Sequence, residues 1–108
     1  MSSELPDCVA RYFAADDTTD DRDLAACFSD DVRIHDEGGE HHGTAAALAW
    51  WHAARRRYDF HAEPREVQQD ADRLTVRAQV TGTFPGSPIM LDHVFTLRGG
   101  RIAALAIG

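Results

Sequence analysis

Near the start of the chain the apolar positions recur at three- and four-residue intervals. Leu5, Cys8, Val9, Tyr12 and Phe13 fall on one side of a helical wheel. Pro6 suits the first turn of that helix, where its missing N–H would have no partner in any case. The acidic stretch from Asp16 to Asp23 breaks the pattern and supplies an N-cap for a second, short helix with Leu24, Ala25, Cys27 and Phe28 as its apolar stripe. Ser29-Asp30-Asp31 reads as a turn. Val32-Arg33-Ile34-His35-Asp36 then alternates apolar with polar residues, as a half-buried strand does. Period two sends Val32, Ile34 and Asp36 to one face and Arg33, His35 and Glu37 to the other. A carboxylate pointing inward at the end of a strand is unusual and makes Asp36 a candidate for chemistry.

Gly38-Gly39 and Gly43 bracket a loop, Thr44 is a good N-cap, and Ala45 to about Arg57 reads as a third helix carrying Leu48, Trp50 and Trp51. Beyond it the period changes to two. Phe60 to about Gln68 is a weak strand whose Pro64 marks an edge or a bulge. Leu74 to Phe84 is a strong one, with Leu74, Val76, Ala78 and Val80 on one face and Thr75, Arg77, Gln79 and Thr81 on the other. Pro85-Gly86-Ser87-Pro88 turns the chain into a strand from Ile89 to Leu97. Arg98-Gly99-Gly100 makes a tight turn, and Ile102 to Ile107 is the last strand. Helices ahead of a meander define an α+β fold with three helices packed on one face of a curved sheet. The short connections predict antiparallel pairing, because parallel neighbours need a long crossover. A sheet curled into a cone around the helices would enclose a pocket.

The 108 residues suit one domain, residues 1–108, and the 44% hydrophobic and 27% charged composition is that of an ordinary folded protein. All 11 basic residues are arginine, and 18 carboxylates leave a net charge of −7. That balance argues against a nucleic-acid partner, which needs a basic face for its phosphates. Arg55-Arg56-Arg57 reads as a solvated helix C-terminus that complements the helix dipole. The N-terminal MSSELPDC has no signal-like pattern and no apolar run nears the roughly 20 residues of a membrane span, so the expectation is a cytoplasmic protein without a membrane partner. Cys8 and Cys27 read as buried thiols. There is no nucleophile elbow, phosphate loop or dinucleotide fingerprint, so no organic cofactor is expected. His35-Asp36-Glu37-Gly38-Gly39-Glu40-His41-His42 has the residue types of a metal site. Strand alternation and the glycines separate them, however, and a solvated loop at a pocket mouth is the expectation, with no metal.

Several segments together resemble the nuclear transport factor 2-like, or SnoaL-like, superfamily: Arg11-Tyr12-Phe13, Ala25 to Asp31, Ile34-His35-Asp36, Gly43-Thr44-Ala45-Ala46, Asp92-His93-Val94-Phe95 and Gly100-Arg101-Ile102. The resemblance implies a cone of sheet and helices around a ligand pocket, and a homodimer. Within the superfamily the motifs are most similar to those of ketosteroid isomerases, which carry a tyrosine in an Arg-Tyr pair, a general-base aspartate and a second aspartic acid on a late strand. Tyr12, Asp36 and Asp92 occupy those positions. The resemblance implies that Asp36 takes a proton from carbon beside a carbonyl while Tyr12 and a protonated Asp92 donate hydrogen bonds to the enolate oxygen. Periodicity does not say whether Asp92 faces a pocket or solvent, because Met90, Val94 and Thr96 share its face and the alternate face is the more apolar. Glu37 stands where those enzymes typically have proline, and its charge would raise the pKa of Asp36. Histidines and Arg55 imply a polar mouth, and a smaller or more polar ligand than a steroid.

Trp50 and Trp51 are adjacent on a helix and cannot share a face, so one is expected in the core or pocket wall and the other over the sheet rim or against a partner subunit. With Phe60, Phe84, Met90 and Val94 they are the candidate substrate-binding residues. His52 and His93 are expected at the core edge or the pocket. The expected partner is a small hydrophobic or carbonyl-containing ligand. A non-catalytic ligand-binding or dimerisation module, and a hydrolase using an Asp36-activated water, are the alternatives.

Overall fold

A computed structural model describes residues 5–108. The elements are α1 (Asp7–Ala14), α2 (Asp21–Ala25), β1 (Phe28–Asp36), β2 (Gly39–His42), α3 (Thr44–Tyr58), β3 (His61–Asp70), β4 (Arg73–Thr81), β5 (Ile89–Arg98) and β6 (Arg101–Ile107). The six strands form one sheet in the order β2-β1-β6-β5-β4-β3. Three helices and a mixed sheet make the α+β class expected from the sequence. No helix among the described residues is long and apolar enough to cross a membrane.

The first helix begins after Pro6 and buries Cys8, Val9 and Tyr12, with Phe13 packed at the core edge. The Asp20 carboxylate accepts a hydrogen bond from the Arg22 N–H at 2.8 Å and so caps α2. The second helix is shorter than the sequence pattern suggests: Phe28 already belongs to β1. Nor is Ser29-Asp30-Asp31 a free turn. It is an irregularity inside β1, where the pairing with β6 shifts between Phe28 and Arg33. The Ser29 hydroxyl donates to Asp31 at 3.0 Å and Arg98 also bonds that carboxylate, so local polar bonds take over where the ladder is interrupted.

Two expectations about the sheet are corrected. Gly39–His42 is a strand hairpinned onto β1, with Asp36 opposite Gly39 and His35 opposite Glu40. The turn holds both Glu37 and Gly38 at positive φ, 53° and 76°, the geometry of a tight hairpin. The sheet is also not antiparallel throughout, because β1 lies parallel to β6. The crossover that parallel pairing needs is supplied by everything between them, from β2 through the β3–β5 meander. Pro64 does lie on an edge strand, beside a register shift between Pro64 and Glu66.

The core lies between the helices and one face of the sheet. Phe28, Val32 and Ile34 of β1, Leu74 and Val76 of β4, Phe95 of β5, and Ile102 and Leu105 of β6 meet Val9, Leu24, Ala47 and Trp51 there. Each buried valine, leucine, isoleucine or phenylalanine among them stabilises the fold by about 1.5–3 kcal/mol relative to exposure.

Candidate active-site cavity

Beside this core, on the same face of the sheet, is a cavity of about 400 Å³. Helical spacing explains one wall: Trp50, Ala54 and Tyr58 recur every four residues and form one stripe of α3. Period two explains another, with Ile89, Leu91 and His93 of β5 pointing the same way as Val80 of β4, the partner of Ile89. Tyr12 enters from α1, Asp36 and Glu37 from the end of β1, Ile107 from β6, and Phe60 and Phe84 from the segments flanking β3 and β4.

Asp36 is half-buried, and one of its carboxylate oxygens accepts a hydrogen bond from the Trp50 indole N–H at 3.1 Å. Burial raises its pKa above the ordinary carboxylate value. The Trp50 bond and the nearby His41 work against that rise, and the charge of Glu37 adds to it. Tyr12 is 6% exposed. Burial, and secondarily the charge of Asp36, push its phenol pKa upward, so it stays a protonated donor. His93 is 3% exposed, and burial lowers its pKa to about 4, which makes it a neutral imidazole at pH 7. Its Nδ1 lies 3.4 Å from the Leu91 carbonyl. A carbonyl only accepts, so this contact assigns the proton to Nδ1 and leaves Nε2 a bare acceptor. The ring is stacked on Phe95 and edge-on to Phe13.

Tyr12 and Asp36 therefore share the cavity, but Asp92 does not join them. Its side chain is 49% exposed on the opposite face of the sheet, 4.0 Å from Arg77. The cause is the register. Val76 and Ala78 are fully buried, and their β5 partners are His93 and Leu91, so Asp92 pairs with the outward Arg77. Met90, 40% exposed, and Val94 go outward with it and are likewise removed from the cavity.

The two tryptophans also separate. Trp50 is a cavity wall, whereas Trp51 is buried in the core rather than covering a rim. Arg55 is not at a polar mouth. It lies over Trp51 and Phe60 and bonds Asp17 and the Phe60 carbonyl. Phe60 and Phe84 line the cavity. Glu37, which strict alternation sends outward, lines it because the hairpin turn redirects the chain, and the Tyr58 hydroxyl donates to it at 3.1 Å. Of the residues that sequence reasoning passed over, Tyr58 is legible eight positions after Trp50 on the same stripe. Among the described residues no three His, Cys, Asp or Glu side chains converge as a metal site.

Helices on one face of a mixed sheet, with a cavity that combines an apolar wall and a few polar groups, define a class of small α+β pocket proteins. Residues 9–105 match the family model of the SnoaL-like domain, and the chain belongs to that family. A solved structure from Sinorhizobium meliloti, designated a candidate polyketide cyclase, is 46% identical, with a TM-score of 0.91 over 96% of this chain and 95% of that one. A Catenulispora acidiphila protein with a ketosteroid isomerase-like fold is 20% identical, with a TM-score of 0.81 over 97% of this chain and 86% of that one. A candidate SnoaL-like polyketide cyclase from a Jannaschia species is 19% identical, with a TM-score of 0.78 over 94% and 81%. The last two are likenesses of fold. Among curated proteins none matches the chain.

Proposed function

We propose that the protein is an isomerase- or cyclase-like enzyme that moves a proton on carbon next to a carbonyl. The observation that carries this reading is the meeting of Asp36 and Tyr12 in one cavity, with the Asp36 carboxylate held by Trp50. Asp36 is the base: its carboxylate takes the proton from carbon and returns it to another carbon of the same molecule. Partial desolvation moves its pKa toward neutrality, as suits a base working there. Negative charge that develops on the substrate oxygen is met by the Tyr12 hydroxyl, a buried donor in a low-dielectric site. Asp92 has no part in this scheme. The homodimer implied by the family resemblance belongs to the same proposal, and sedimentation of the free protein tests it.

The reaction is followed by NMR as exchange of α-protons of an enolisable ketone in deuterated water, with a ketosteroid and a β-keto ester as probes. The expected outcome is catalysed exchange that drops roughly 100-fold or more in Asp36→Asn and about 10- to 1,000-fold in Tyr12→Phe. Equal exchange by wild type and Asp36→Asn would remove Asp36 from the mechanism.

A further inference from the structure

The charge of the cavity is one-sided. Of 11 arginines in the chain none is among its lining residues, while Asp36 and Glu37 are. Two guanidinium groups stack on rings of lining residues, Arg55 at 5.5 Å from the Phe60 centroid and Arg57 at 5.3 Å from that of Tyr58, and Arg55 is paired with Asp17. The hydrogen-bonding inventory is equally lopsided. His93 presents Nε2 as an acceptor, Asp36 and Glu37 are acceptors, and Tyr58 spends its hydroxyl on Glu37, which leaves Tyr12 as the free donor. Among the described residues neither the Tyr12 hydroxyl nor His93 Nε2 has a partner within the chain, yet no sealed side-chain polar atom is unpaired. Both groups, each on a side chain more than nine-tenths buried, therefore open onto the cavity.

A carboxylate or phosphate ligand would enter here without a counter-charge and would lose its hydration for nothing. An ammonium group could donate a charge-assisted hydrogen bond to Glu37, which Tyr58 orients, beside the Phe84 ring packed edge-to-face with Tyr58. We infer that the cavity selects a cationic amine, with its ammonium at the Glu37 end against Tyr58 and Phe84 and its carbonyl portion reaching Tyr12. The inference rests on the reading of this cavity as the reaction site and names the substrate class of that site.

Phenethylammonium and hydrocinnamate carry the same ring and opposite charge, and their binding is measured by calorimetry at pH 7 and low salt. The expected result is roughly tenfold or greater preference for the ammonium. Glu37→Gln and Tyr58→Phe should each shrink that preference several-fold, while circular dichroism confirms that both substitutions leave the fold intact. Equal affinity, tighter hydrocinnamate, or no ammonium binding at millimolar concentration overturns the inference. Its failure is distinguishable from that of the proton-transfer reading. Loss of Asp36-dependent exchange with the ammonium preference intact sinks only the base, and exchange without a charge preference sinks only the ligand class.

Discussion

Asp36 ends its strand with one carboxylate oxygen tied to the Trp50 indole, and that bond is the largest force holding its pKa down against burial. Replacing Trp50 by Phe removes the donor and keeps most of the apolar wall. The pKa of Asp36 then rises further, and if Asp36 is the base, the acid limb of the kcat/KM profile moves to higher pH; an unmoved limb would separate Asp36 from the rate. The stability cost is about 1–3 kcal/mol, measurable by urea titration. Local pattern could place Asp36 and Tyr12 on inward faces because each sits on an element whose apolar neighbours define its face, while the family resemblance singled Tyr12 out as a candidate. Asp92 could not, since a polar residue interrupts either face of β5: Asp92 on one, His93 on the other.

The third helix and the exit of β4 are pinned together. Asp59 closes α3 in the left-handed conformation, and the Tyr58 carbonyl accepts from both the N–H and the hydroxyl of Thr83, each at 2.8 Å. Gly82 is where this approach leaves no room: a Cβ there would lie 2.7 Å from the Tyr58 carbonyl oxygen and 3.1 Å from the Phe60 Cα. Those neighbours are backbone and cannot swing aside. Gly82→Ala should therefore cost about 1–3 kcal/mol, seen as a melting temperature lower by roughly 4–8 °C for each kcal/mol. It should also weaken ligand binding, since Tyr58, Phe60 and Phe84 flank the junction and line the cavity. A neutral result would mean that the two segments can separate without loss. The glycine was visible in the sequence, but its role was not, because the contact joins residues more than twenty positions apart.

Across the molecule, His93 couples the cavity to stability. Its folded pKa of about 4 lies below the ordinary value of 6.5, so between those values the unfolded chain binds a proton that the native protein refuses. Stability is therefore full above pH 6.5 and falls as the pH drops toward 4. The loss from pH 6.5 to 5 is roughly 2 kcal/mol. Asp36, whose pKa burial raises, acts in the opposite sense above the usual carboxylate pKa. Comparison with His93→Phe isolates the histidine: in urea titrations at pH 5 and pH 7 the variant should show a flatter dependence. An unchanged slope would place the acid sensitivity elsewhere.

Local periodicity was enough to define the α+β class, the helix faces and the inward direction of Asp36. All of these depend on neighbours within a few residues. The spatial arrangement decided three other features. Period two says which β5 residues share a face, but only pairing with the buried Val76 and Ala78 says which face is inside. The parallel pairing of β1 and β6 depends on the path of the intervening chain, which no local pattern encodes. The hairpin turn at Glu37 brings a carboxylate to the cavity that alternation would have sent away, because a turn interrupts the very periodicity from which direction is read.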